Sequence, residues 1–160
     1  TVDRFRNLLR DHARCFERDC WAGHITGSAW LLDPTLQQVL LTHHRKLNIW
    51  VQLGGHSDGD ANTPGVALRE GQEESGLAVE LLNEEILDLD IHEIPARKND
   101  PAHYHFDVRY AMCAAAVEFV VSDESHQLAW VQLANIEDYS QERSVLRMRE
   151  KWLKRISGVG

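Results

Sequence analysis

Glu70, Glu73 and Glu74 stand at i, i+3 and i+4 within the run Arg69-Glu70-Gly71-Gln72-Glu73-Glu74-Ser75-Gly76-Leu77. On a helix that spacing brings all three carboxylates to one face. Crowded carboxylates repel one another unless a cation sits among them, and an all-oxygen donor set suits Mg²⁺ or Mn²⁺ rather than zinc. The helix is signalled by Thr63 as a cap, Pro64 at the first position, and an end at Ser75 before Gly76, a residue suited to the left-handed turn. Taken alone, the three glutamates fit a solvated acidic face relieved by Arg69 better than they fit a metal site.

The wider segment decides otherwise. From Gly55-His56-Ser57 through Leu77 it resembles the Nudix box, a glycine and a loop glutamate followed by Arg-Glu-apolar-x-Glu-Glu-x-Gly-apolar. Gly55, Arg69, Glu70, Glu73, Glu74, Gly76 and Leu77 fall in register, whereas Ala61 replaces the loop glutamate and Gly71 an apolar residue. The resemblance implies an α+β fold, an α/β/α sandwich with a mixed β-sheet between helices. It also implies Mg²⁺ (or Mn²⁺) held by Glu70, Glu73 and Glu74 and by the backbone of Gly55 or Gly54. Glu73, Glu74 and Arg69 would then act in catalysis, with Arg69 fixing the glutamates electrostatically. The implied reaction is pyrophosphohydrolysis of a nucleoside diphosphate linked to another moiety. Some members of the family draw a general base from a late loop, which makes Glu124 in Asp123-Glu124-Ser125-His126-Gln127 the candidate base here, against a plain hydrophilic connector.

Two other readings stand beside the hydrolase. Ala61 motivates a catalytically silent, nucleotide-sensing domain of the same fold, although the box glutamates are kept. An isopentenyl-diphosphate-isomerase-like enzyme would need a cysteine and a glutamate about an allyl carbon, and Cys15, Cys20 and Cys113 lie in no context that suggests it. Asp58 and Asp60 flank Ala61, and Asp60 is a weak candidate for the missing carboxylate. Gly71 gives up about 1 kcal/mol of helix propensity relative to alanine, which points to close packing of the helix on the sheet.

A chain of 160 residues fits a single domain, here residues 1–160, and its 43% hydrophobic content is ordinary for a globular protein. No apolar run approaches the roughly 18 residues of a membrane span, and the charged start Thr1-Val2-Asp3-Arg4 does not read as a signal peptide. A cytoplasmic protein with reduced cysteines is expected. The net charge of −8 argues against a nucleic-acid polymer as partner. A small phosphorylated substrate, nucleotide-derived on the resemblance, remains compatible because a divalent ion reverses the local charge. A homodimer stays open.

The elements that must position the glutamates read as follows. An amphipathic helix covers about Asp3–Glu17, with Phe5, Leu8, Leu9, Ala13 and Phe16 on one stripe. Strands are expected at His24–Leu32, Gln37–Thr42, Ile49–Leu53, Ala78–Leu82, Leu87–Ile94, His103–Ala115 and Ala129–Leu133. A closing helix over Glu142–Ile156 would bury Val145, Met148, Trp152 and Ile156. The tryptophans are expected in the core rather than as base-stacking platforms.

Strict alternation over His103-Tyr104-His105-Phe106-Asp107-Val108-Arg109-Tyr110 puts His103, His105, Asp107 and Arg109 on one strand face. That face suits a phosphate or base pocket as well as it suits solvent, so Arg109, His103 and His105 are substrate-binding candidates. His103 and His105, at i, i+2 with no obvious third ligand, do not establish a zinc site, and neutral or hydrogen-bonded histidines are the commoner outcome. Arg45 in the basic loop His43-His44-Arg45-Lys46 could meet phosphates, though a solvated turn fits it better.

Overall fold

In a computed structural model, residues 1–44, 47–118 and 127–158 are described. They form α1 (Val2–Asp11), β1 (His24–Leu32), β2 (Gln38–His44), β3 (Ile49–Val51), β4 (Leu53–His56), α2 (Thr63–Ser75), β5 (Val79–Ile94), β6 (His103–Ala114), β7 (Leu128–Gln132), a 3-10 turn (Leu133–Asp138) and α3 (Arg143–Ser157). The strands form one mixed sheet in the order β3-β2-β1-β6-β5, with β4 added to β1 and β7 to β2. β1 runs parallel to β6, and the other named pairs are antiparallel.

Two apolar clusters show which helix covers which face. Ile25, Ala29, Leu31, Phe106, Val108, Tyr110 and Met112 point to the side of α1 and α2, packing with Phe5, Leu8 and Ala67. Trp30, Leu32, Val39, Leu41 and Ala111 point the other way, onto Val145, Met148 and Trp152 of α3. This is the expected sandwich, and successive residues of β1 serve opposite layers because a strand alternates its side chains. Phe5 stacks edge-on against Phe106 at 5.1 Å. Burying Phe5 and Leu8 stabilises the docking of α1 by about 1.5–3 kcal/mol each.

Several boundaries differ from the sequence reading. α1 stops at Asp11 because His12 turns extended, and the chain continues through tight turns that let the Cys15 carbonyl accept from Ile25 N–H at 2.7 Å. Leu9 is exposed within α1, while Phe16 packs on the core from a turn. The single strand expected at Ile49–Leu53 is two: β3 pairs β2, the chain shifts at Gln52, and β4 pairs β1. Conversely, Ala78–Leu82 and Leu87–Ile94 merge into β5, whose register shifts around Ile86 absorb the polar stretch between them. Ile156 is half exposed, not buried, because the buried stripe of α3 ends at Trp152. Trp30 and Trp152 are core residues, whereas Trp21 is exposed.

Candidate functional site

β4 and α2 place the box. Gly54 and Gly55 lie on β4 opposite Ser28 and Gly27 of β1, and neither has room for a side chain. A Cβ at Gly54 would collide with Ser28 Oγ, and one at Gly55 with the Glu70 carboxylate. Past His56 the chain reverses through Asp58 (φ 49°) and Gly59 (φ 87°). Asn62, not Thr63, is the cap: its side chain accepts from Gly65 N–H at 3.3 Å, and Thr63 is the first helical residue. Thr63 instead spends its hydroxyl on Tyr110 at 2.7 Å. At the other end Gly76 adopts the left-handed conformation (φ 69°), as its identity suggests. Gly71 lets α2 sit on the sheet, since a Cβ there would already be 3.3 Å from Ala29 Cβ.

Glu70, Glu73 and Glu74 face a cavity of about 550 Å³ that Gly54, Gly55 and Arg69 also line. Gly54 N–H donates to Glu74 Oε1 at 3.3 Å, and Arg69 Nη2 donates both to the His56 carbonyl at 2.9 Å and to Glu70 Oε1 at 3.2 Å. Arg69 thereby ties helix to strand and orients Glu70. Burial pushes the Glu70 carboxyl above its ordinary range, a rise opposed by Arg69 and reinforced by the charge of Glu73. A carboxylate so placed gains by meeting a cation. The donors are all oxygen, so the residues present fit Mg²⁺ or Mn²⁺.

The flanking aspartates also line this cavity, but each already has a partner. Asp58 takes a two-pronged hydrogen bond from Arg18 at 2.6 Å, which holds its carboxyl below the ordinary range. Asp60 Oδ1 accepts from Asn62 N–H at 2.8 Å, the local bond of a turn aspartate.

The polar face of β6 is not solvent-exposed and does not line the acidic cavity. Arg109, expected to bind substrate, is 1% exposed. Its guanidinium is committed to Asp107 at 2.7 Å, Asp88 at 3.2 Å and Asp90 at 3.3 Å. Thr26 and Ser28 hydroxyls donate to Asp107, while Arg147 and Lys151 of α3 reach Asp88. These groups form an ionic network, buried at Arg109, Asp88 and Asp107 and reached from the surface by Arg147 and Lys151, that joins β1, β5 and β6 to α3. On the opposite strand face Phe106, Val108 and Tyr110 are buried, with Tyr104 exposed.

His103 and His105 lie at the far end of the same face, among histidines that the sequence reading did not associate with them. Register sets His24 of β1 and His92 of β5 beside His105 of β6. His56 joins from β4, its ring centroid 5.2 Å from that of His24 and 5.1 Å from that of His105. Burial, with the neighbouring imidazoles, pushes His24 down to about 4 and His105 down to about 2. Both are therefore neutral near pH 7. Alternation in β1 was the available signal for His24, but only strand pairing brings the imidazoles together. Arg45 and Glu124 lie outside the described residues.

No protein-family model matches this chain, and no curated protein matches it. Solved structures do. A Nudix-family hydrolase from Clostridium perfringens is 27% identical over 80% of this chain and 95% of its own, with a TM-score of 0.61. The Escherichia coli dihydroneopterin triphosphate pyrophosphohydrolase is 14% identical, covering 82% and 95%, with a TM-score of 0.65. The Nudix domain of Shewanella oneidensis NrtR, solved with ADP ribose, is 18% identical, covering 94% and 97%, with a TM-score of 0.59. The chain has the Nudix fold. No helix among the described residues is long and apolar enough to cross a membrane.

Proposed function

We propose that this chain is a metal-dependent hydrolase that cleaves a diphosphate linkage in a nucleoside diphosphate joined to another moiety. The observation that carries the reading is the convergence of Glu70, Glu73 and Glu74, fixed by Arg69 and Gly54 N–H, on one cavity beside the glycine strand. Mg²⁺ or Mn²⁺ held there would supply charge neutralisation for the diphosphate and activation of water. Without such an ion an acidic cavity repels a phosphorylated substrate.

The chain's own groups have distinct parts in this scheme. Arg69 holds Glu70 against β4 and fixes the end of the strand through the His56 carbonyl. Glu70, Glu73 and Glu74 would hold the ion. Glu124 is the candidate base that takes the proton as the water oxygen bonds to phosphorus and the bridging P–O bond breaks, the electron pair leaving with the departing phosphate. The reading carries with it a small nucleotide-derived substrate in a cytoplasmic setting, with no nucleic-acid polymer or membrane as partner.

A second reading rests on Ala61, together with the engagement of Asp58 and Asp60 by other groups: a nucleotide-sensing domain without turnover. One screen separates the two. Purified protein with Mg²⁺ or Mn²⁺ is offered nucleoside diphosphate sugars, dinucleoside polyphosphates, dinucleotide cofactors and nucleoside triphosphates. Metal-dependent release of a nucleoside monophosphate supports the hydrolase, and saturable binding with no product supports the sensor.

A further inference from the structure

Gly55 and His56 are successive residues of β4 and so face opposite sides of the sheet. Gly55 meets the box helix through Glu70, and His56 turns to the imidazoles of β1 and β6. His24, His56 and His105 each offer a ring nitrogen, and these nitrogens all lie within 4.8 Å of one another. The polar atoms are also unspent. Neither nitrogen of His24, nor Nε2 of His105, makes a hydrogen bond of normal geometry, though all three are buried. The Cys20 backbone gives His24 loose support only. Buried polar atoms in folded proteins are paired, so a cluster of imidazole nitrogens without well-formed hydrogen bonds calls for a partner.

We propose that His24, His56 and His105 form a second metal site, separate from the glutamates, which takes a borderline divalent cation such as Zn²⁺ in preference to Mg²⁺. Imidazole nitrogens suit zinc and its transition-metal neighbours, whereas magnesium requires oxygen. The donors come from β1, β4 and β6, strands that pair directly, so their spacing is held by backbone hydrogen bonds. His103 stands beside two of them, its ring centroid 4.9 Å from His24 and 5.3 Å from His105. Its Nδ1 faces the Pro101 carbonyl at 2.8 Å, which can only accept, so the lone pair is on Nε2. His103 is the candidate fourth ligand. A cation here would fasten the end of β4 from the face opposite Glu70 and so brace the box. The proposal does not depend on the hydrolase reading.

Metal-stripped protein, held in excess Mg²⁺ to occupy the glutamates, is titrated with Zn²⁺ by calorimetry, and the loaded protein is studied by zinc X-ray absorption. One equivalent of zinc is expected, with nitrogen scatterers at about 2.0–2.1 Å and the outer-shell signature of imidazole. His56→Gln and His105→Gln should each weaken zinc binding by at least about 100-fold, since even groups that only orient a ligand are worth about 10–100-fold. The combined variant Glu70→Gln, Glu73→Gln, Glu74→Gln should keep wild-type zinc affinity. No zinc uptake in excess Mg²⁺, an oxygen-only shell, or binding lost in the glutamate variant and kept in the histidine variants would overturn the proposal. The absorption measurement uses wild-type protein, so it decides the matter even if a histidine variant fails to fold.

Discussion

The Glu70 carboxylate fills the space that a side chain on Gly55 would need. Glycine at residue 55 is therefore a condition on where the carboxylate stands, beyond any requirement of the turn. Gly55→Ala should displace Glu70, whose far end is mobile enough to move without unfolding the helix. The expected result is a Mg²⁺ or Mn²⁺ requirement raised by roughly 10-fold or more, because a displaced ligand loses its geometry, with a melting temperature close to wild type. Metal-activation curves read beside a melt check this. An unchanged metal requirement would separate Glu70 from the ion.

Glu73→Gln and Glu74→Gln should each lower turnover by at least about 100-fold, since each removes a charge from the group that stabilises the transition state. Stability should hardly change for Glu73→Gln, which lies on the cavity side of α2. Near wild-type turnover in both variants at saturating metal would take the helix glutamates out of the mechanism.

Asp60 already accepts the Asn62 N–H. Asp60→Ala is accordingly expected to leave the metal-activation curve where it was, at a cost of about 1 kcal/mol in stability from the lost turn bond. A clear loss of metal affinity would show that Asp60 supplies the carboxylate missing at Ala61.

Arg109 stands among Asp88, Asp90 and Asp107 with almost no exposure. Arg109→Ala leaves buried carboxylates uncompensated and should cost about 3–5 kcal/mol in a urea unfolding curve. The Michaelis constant of the folded fraction should stay put. A raised Michaelis constant with an unchanged unfolding midpoint would return Arg109 to the substrate.

Asp90 titrates well below the ordinary carboxylate range, owing first to its hydrogen bond with His92 and also to Arg109 and Arg147, against a burial that pushes it up. A depressed folded-state pKa contributes stability that is fully present above the unfolded value of about 3.9 and is lost as pH falls towards the folded value. Arg147→Gln weakens that depression. It should lower stability at neutral pH and flatten the decline below about pH 4, as read from melting temperatures at a series of pH values. An equally steep acid limb would detach Asp90 from Arg147.

The glutamates were legible because their geometry is local. An i, i+3, i+4 spacing puts Glu70, Glu73 and Glu74 on one face of any helix, and Pro64 and Gly76 mark where that helix begins and ends. Gly71 likewise announced a close approach, which Ala29 supplies. Alternation on β6 also separated the right residues into faces. What it could not say is what lies opposite, since both faces of a central strand are covered and the partner depends on register. Pairing with β5 and the packing of α3 turned Arg109 inward onto three carboxylates. Pairing among β1, β4 and β6 gathered His24, His56 and His105 from positions 32 and 49 residues apart along the chain. Local spacing determined the acidic helix face by itself. The imidazole cluster and the ionic network are properties of strand order, which arises from contacts distant in sequence and so leaves no periodic trace.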